Sequence, residues 1–373
     1  MSDRVLITGG AGFIGSFVAE HFLETGCDVR ILDSLDPQVH GTDGTASTPA
    51  GAELRIADVR DKEALRAALD GVSIVVHCAA AVGVAQSLYR VQHYVDVNVG
   101  GTAALLEVLA ERRTALRKLV LPTSMTGYGE GLYRRPSDGA LRRVEIRTED
   151  DVRAGAWEPV DPDTGEILEA VPTPESAELR AKNVYALTKR YQEELALSLG
   201  ALYGFPVVCL RLFNVFGPRQ SLRNPYTGVL AIFLSRLLEG RSPVVYEDGG
   251  QTRDFVSVHD VVRAIARAVE SETANGCVLN IGSGRPRGIA DVARDAAGLL
   301  GCDVEPTITG EFRRGDVRHC FADLTQSRAV LGFEPEADWG ECLREIVEWS
   351  RTAPVSDRFA DADRELRERG LVR

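Results

Sequence analysis

The stretch Arg4-Val5-Leu6-Ile7-Thr8-Gly9-Gly10-Ala11-Gly12-Phe13-Ile14-Gly15 decides the fold. A short apolar run stops at Thr8, glycines follow with G-x-x-G-x-x-G spacing, and "FIGSFVAEHFLETG" then has helical spacing and a Gly stop. Strand, glycine turn and helix in this order form a cradle for a pyrophosphate. Gly9, Gly12 and Gly15 permit a tight turn, close backbone approach and close helix packing, while the first helical residues, Phe13 and Ile14 among them, present N–H donors.

Working outward, "DVRILD" reads as a second strand ending at Asp33, eighteen residues after Gly15. A carboxylate there accepts from adenosine ribose hydroxyls and repels a 2′-phosphate, which selects NAD over NADP. Asp58, at the end of "AELRIADVRD", has two readings: a contact to the adenine edge, or a cap for the helix "KEALRAAL".

The rhythm continues with a helix at "DKEALRAALDG", a strand at "VSIVVHCAA", a helix at "VNVGGTAALLEVLAERRT" and a strand at "KLVLPTS". A helix at "YALTKRYQEELALSLGALYG" and a strand at "PVVCLRLFNV" follow. Alternation of this kind predicts an α/β fold, a Rossmann-type doubly wound parallel sheet over residues 1–217. Past 217 the elements shorten, which predicts a smaller C-terminal α/β substrate-binding lobe making up most of 218–350 and a peripheral charged tail over 351–373. Residues 130–180 are rich in charge, Pro and Gly and too long for an ordinary connection. They read either as a solvated excursion or as a lid over the substrate.

Composition sets the outer bounds. The chain has 373 residues, 44% of them hydrophobic, with no window approaching the roughly 18 uncharged apolar residues of a membrane span. No signal-peptide pattern precedes the first strand, so a cytoplasmic protein away from the membrane is expected. A net charge of -12 argues against a nucleic-acid partner. A small anionic ligand needs only two or three arginines, and Arg supplies nearly all the positive charge, with Lys only at 62, 118, 182 and 189. The seven cysteines are dispersed without a C-x-x-C pair, which predicts free thiols and no metal site.

Tyr185 and Lys189 lie four apart in a helical pattern, so their heads share one face. A free tyrosine titrates near 10, and a neighbouring cation is one way to make phenolate accessible near neutrality. The pair therefore reads as a proton-transfer couple for a hydroxyl or ketone.

With these residues in place the chain resembles the extended short-chain dehydrogenase/reductases, specifically the NAD-dependent nucleotide-sugar epimerases and dehydratases. The likeness runs through "TGGAGFIG", "HCAA" at 77–80, "NVGGT" at 98–102, "TSMTGYG" at 123–129, Tyr185 with Lys189, "RLFNVFGPRQ" at 211–220, "GGQTRDFVSVHDVV" at 249–262 and "RRGD" at 313–316. It implies that Ser124 hydrogen-bonds the reacting sugar oxygen, that Tyr185 serves as general base and acid, and that Lys189 holds the nicotinamide ribose while favouring phenolate. It also implies that Val59, Ala79 and Ala80 contact the cofactor and that Asn98 belongs to the cofactor site, organising it through the central helix. Thr126 belongs to the sugar site. Asn214, Arg253 and Arg313 match positions that bind the phosphates of a nucleotide-diphosphate sugar, and Tyr246 one that packs near the base. For the arginines an ordinary surface ion pair is the competing reading.

Two neighbours of Ser124 select among the family's reactions. Dehydratases carry Asp-Glu where this chain has Met125-Thr126, and decarboxylases a Glu where Thr126 stands, so elimination and decarboxylation lack their acid and base. The resemblance then implies 4-epimerisation: Tyr185 takes the C4 hydroxyl proton as C4 hydride passes to NAD, and the 4-keto sugar turns over and is reduced on its other face. "RQSLRNPYTGVLAIFLSRLLEGRSP" and the insertion ending in "VPTPES" are similar to dTDP-L-rhamnose 4-epimerases, although Asp161-Pro162-Asp163-Thr164-Gly165 stands where that group often has C-P-x-C-G. A UDP-hexuronate or UDP-hexose 4-epimerase, a net sugar dehydrogenase or ketoreductase, and a nucleotide-sensing protein are the competing readings. The helices starting at Asn98 and Tyr185 have apolar faces that read either as a homodimer interface, as the family implies, or as internal packing.

Overall fold

The computed structural model describes residues 3–41, 47–112 and 116–372. Seven strands form the main sheet: β1 (Arg4–Thr8), β2 (Asp28–Asp33), β3 (Glu53–Ile56), β4 (Ile74–His77), β5 (Lys118–Ser124), β6 (Val207–Leu212) and β7 (Val278–Ile281). They pair in parallel in the order β7-β6-β5-β4-β1-β2-β3. The chain moves outward from β1 to β3 and then returns to place β4 on the other side of β1. This reversal leaves a crevice at the carboxyl ends of β1 and β4, where open parallel sheets bind ligands.

Both faces of the sheet are covered, so its strands are apolar without alternation in polarity. Alternate residues still part: Val5 and Ile7 join a core with α1 (Phe13–Glu24), while Leu6 faces one that includes α2 (Lys62–Ala68), α3 (Gly101–Glu111) and α4 (Val184–Tyr203). Helix α4 begins at Asn183, whose side chain caps the Ala186 N–H at 2.9 Å, and ends at Gly204 with φ 76°. Where the sequence suggests a helix from Asn98, residues Val95–Gly100 form a π-helical turn that leads into α3.

The sequence boundary at residue 217 needs correction. α5 (Val258–Glu270) and β7 return to the main sheet, and Val261, Ile265, Leu279 and Ile281 are buried with Val5 and Ile7. The apolar run around β7 is too short to reveal which sheet receives it. What remains of the second lobe packs around Phe216, Leu230, Phe233, Leu234, Phe255 and Ile346. The tail is not peripheral either: Leu366 and Val372 are buried together with Tyr246.

Residues 130–180 build a three-stranded antiparallel sheet from Leu132–Arg134, Leu141–Arg143 and Glu169–Val171. It is anchored to the second lobe. Thr173 N donates to Phe321 O at 2.8 Å, buried Glu130 accepts from Arg318 N at 2.8 Å, and Arg147 forms two 2.9 Å bonds to Glu247. Asp161, where related sequences often place a cysteine motif, organises its turn by accepting from Asp163 N and pairing with Arg135 and Arg142.

Candidate active site

A cavity of about 490 Å³ opens at the carboxyl edge of the main sheet, between the two lobes. Gly9, Gly12, Phe13, Ile14 and Gly15 line one end, together with Asp33, Asp58, Val59, Ala79 and Ala80. Ser124, Tyr185, Lys189 and Asn214 line the same space. Residues spread over more than two hundred positions thus meet in one crevice.

The glycine end fits a dinucleotide. Gly9 has φ 67°, and a Cβ there would lie 2.7 Å from Ala79 N; a Cβ on Gly15 would lie 2.3 Å from Gly9 O. Side chains would therefore fill the space and separate α1 from β1. Asp33 accepts from Ala11 N at 3.0 Å and Leu35 N at 2.9 Å, with His40 Nε2 3.5 Å away. Burial raises its pKa, but His40 and the two amides outweigh that and hold the carboxyl below its ordinary value, ionised for hydroxyl donors. Asp58 instead accepts from Arg60, at 2.9 Å from Nε and 2.6 Å from Nη2. It does not cap the following helix, since Asp61 accepts from Glu63 N and Ala64 N.

At the other end, Ser124 closes β5, and Tyr185 and Lys189 project from the first turns of α4. Ser87 Oγ accepts from Tyr185 N at 3.0 Å and fixes the start of that helix. Lys189 Nζ donates to Pro122 O at 3.2 Å, and burial pushes its pKa down to about 8. Burial also pushes Tyr185 up to about 12, with the Ser124 hydroxyl pulling the other way. In the protein without cofactor, desolvation of the phenol outweighs the Ser124 hydrogen bond.

Three further corrections concern position. Thr126 does not line the cavity; its hydroxyl donates to Ser124 Oγ at 3.0 Å and its N–H at 3.3 Å, so it positions the serine. Asn98, fully buried, accepts from Ala81 N at 2.7 Å and donates to Ala81 O and Thr188 Oγ1, pinning the loop after β4 to α4. It touches the site only through that loop. Tyr246, Arg253 and Arg313 lie outside the large cavity. Arg313 sits 5.1 Å over the Tyr246 ring and bonds Asp316 at 2.7 Å, while Arg253 reaches Asp316 at 3.1 Å. Burial works against ionisation of Asp316, yet the two guanidiniums hold it down at about 2. Arg313 and Asp316 line a separate cavity of about 280 Å³, with Ile146, Arg147 and Val152 of the 130–180 insertion in its wall. No described residue of that insertion lines the large cavity.

Several cavity residues escaped the sequence reading. Arg219 lines it with φ 66°, lies 4.2 Å over the Phe17 ring and pairs with Glu20 at 2.8 Å. Its signal was the "GPRQ" segment, but nothing local shows that it faces α1. Tyr226 and Asn224 also line the wall. The Asn214 Oδ1 is buried without a hydrogen-bond partner among the described residues, an acceptor left for a ligand donor. The carboxylates of the lining are Asp33, Asp36 and Asp58, at the end of β2 or in the segments after β2 and β3; none stands beside Ser124.

Residues 5–149 and 158–282 match the description "NAD dependent epimerase/dehydratase family". The chain belongs to that family. Its cofactor is NAD, and its sheet is the Rossmann-like core shared by solved NAD-dependent epimerases. A dTDP-L-rhamnose 4-epimerase of Burkholderia thailandensis is 35% identical over 93% of this chain and 94% of that relative. Among solved structures, a UDP-glucose 4-epimerase of Thermotoga maritima with UDP-glucose superposes with TM-score 0.76 at 28% identity, covering 93% of this chain and 98% of the other. A Thermus thermophilus UDP-glucose 4-epimerase in complex with NAD gives TM-score 0.73 at 29% identity, covering 94% and 100%. No helix among the described residues is long and apolar enough to cross a membrane.

Proposed function

We propose that this family member is a NAD-dependent nucleotide-sugar 4-epimerase, acting on a dTDP-6-deoxyhexose of the dTDP-L-rhamnose type. One observation carries the choice of reaction: the cavity holds a serine, tyrosine and lysine together, with no carboxylate beside them to serve an elimination. The likeness to the Burkholderia enzyme supports the substrate class.

When bound, NAD supplies the oxidant and then the reductant at the sugar carbon. Tyr185 accepts the C4 hydroxyl proton and returns it to the same oxygen after the ring has turned. Ser124 hydrogen-bonds that oxygen, and its own hydroxyl is oriented by Thr126. Lys189 stands deep in the wall beside them. The Asn214 amide nitrogen donates to the diphosphate while its Oδ1 is left to accept from a ligand hydroxyl or N–H, and the Tyr246, Arg253 and Arg313 group takes the nucleotide end.

Val91 and Val95 in the segment 91–100, and Leu187 and Tyr191 on α4, are exposed pairs each four residues apart. These exposed apolar side chains support a homodimer, and a cytoplasmic location fits a nucleotide-sugar substrate.

The test is to incubate the NAD-loaded protein with dTDP- and UDP-hexoses and hexuronates, identify products by NMR and follow absorbance of NADH. C4-inverted product without net NADH is expected, and Tyr185→Phe lowers kcat by about 10²–10⁴-fold. Stoichiometric NADH with no inverted sugar overturns the reading in favour of a dehydrogenase.

A further inference from the structure

The chain between residues 217 and 228 crosses the large cavity on the side of the second lobe. Arg219 rests on α1, 4.2 Å over the Phe17 ring and 2.8 Å from Glu20, while Tyr226 packs on the loop after β4, where a Cβ added to Gly83 would stand 2.8 Å from Tyr226 Cβ. Arg219, Tyr226 and Gly83 all line the cavity. Between these two footholds Asn224 meets a pair of amides from the Rossmann half. Gln38 Nε2 donates to Asn224 Oδ1 at 3.4 Å and to Gln86 Oε1 at 3.2 Å, and Gln86 Nε2 donates back to Gln38 Oε1 at 3.0 Å. These three side chains line the cavity too; Gln86 and Asn224 are buried and Gln38 is half-buried.

The strand order shows what this contact spans. Gln38 follows β2 and Gln86 follows β4, and β1 stands between those strands. The loops that carry the two amides therefore start two strand spacings, about 10 Å, apart and meet across the carboxyl end of β1. That end is the glycine cradle. Asp33 lies to one side of it, at the end of β2, and Ser124 on β5 and Lys189, bonded to β5, lie to the other. A dinucleotide that serves both ends of the cavity crosses the same strand.

We infer that Gln38, Gln86 and Asn224 form a clasp that closes the crevice over NAD and sets how long the cofactor stays. The sheet edge bounds the crossing on one side, and the amide contact, reaching from the Rossmann loops to the second lobe, bounds it on the other. The clasp rests on NAD as the cofactor; its use rests on the epimerase reading, because a cycle that oxidises and then reduces one sugar fails if the cofactor leaves between the two transfers. Neutral amides suit the place. They add no charge beside a pyrophosphate, and each bond they make shifts an opening equilibrium by about three- to tenfold. Nothing near Gln38 in the sequence points to this role, because its partners lie 48 and 186 residues away.

The experiment measures release of NAD without any sugar. Full-length wild type, Gln38→Met, Gln86→Met and the double variant are loaded with radiolabelled NAD and chased with excess unlabelled NAD, and the label retained over time gives the dissociation rate. Methionine keeps the length of the side chain and removes the amide; melting of the NAD-free proteins checks folding, and Gln38→Ala at the half-buried position carries the test if Gln86→Met does not fold. Each single variant is expected to release NAD about tenfold faster than the wild type or more, and the double variant to exceed the quicker single by no more than about twofold, because two partners of one contact fail together. Wild-type release rates in the single variants, single effects that multiply in the double variant, or a wild type that exchanges all its label within the mixing time would overturn the inference. If the variants release NAD faster while no sugar is epimerised, the epimerase reading falls and the clasp stands; if sugar is epimerised while release is unaltered, the clasp falls alone.

Discussion

Lys189 Nζ donates to the carbonyl of Pro122 at 3.2 Å, two residues before Ser124 on the same strand. The bond ties the catalytic helix to β5 and places a buried amine where it has few polar partners. Its pKa falls from 10.5 to about 8 in the folded chain. Between those values the unfolded chain binds more protons, so stability rises with pH from about 8 to about 10.5 and the cost is greatest below 8. Lys189→Met is expected to raise the stability of the cofactor-free protein at pH 7 by up to ~3 kcal/mol while abolishing turnover. Denaturant melts at pH 7 and pH 10 test this, with the difference between the two proteins shrinking at the higher pH.

Thr126 acts on the reaction through Ser124. Replacing it with Val removes the hydroxyl that bonds Ser124 Oγ and leaves the cavity wall intact. The expected loss is about three- to tenfold in kcat, with little change in the dissociation constant of the sugar. Thr126→Ser restores the rate, and a defect confined to KM would show that Thr126 contacts substrate instead.

Gly15 tests the cofactor cradle. With Gly9 O only 2.3 Å from the position of an added Cβ, Gly15→Ala must displace α1 from β1. A destabilisation of about 1–3 kcal/mol and loss of NAD binding are expected, read by thermal melting with and without NAD. A variant that keeps the NAD-dependent rise in Tm would show that the helix start tolerates the shift.

Arg219 is a cavity cation that sequence motifs left unassigned. If it holds a phosphate of the nucleotide sugar, Arg219→Ala raises KM by about ten- to a hundredfold, the loss of one charge-assisted bond, with kcat changed much less. Arg219→Lys recovers part of the effect. An unchanged KM would assign Arg219 to the contact with Phe17 and Glu20 alone.

The sequence by itself determined the parallel sheet, the glycine cradle, the NAD cofactor and the family, because each rests on short-range spacing: a strand, three glycines and a helix between Arg4 and Glu24, or a tyrosine and lysine one helical turn apart. Met125 and Thr126 were equally legible, since a missing carboxylate shows in the residue names alone. Tertiary structure decided what long-range packing controls. It returned residues 258–281 to the main sheet, turned Asn98 and Thr126 into supports for other groups, and drew Arg253 and Arg313 onto Asp316 outside the large cavity. It also brought Glu365 to Tyr89 and Tyr226, and buried the Tyr185 phenol, which pushes its pKa up. Periodicity reports which face of an element is buried; which distant side chains then meet there, and how much water they lose, depends on the folded chain as a whole.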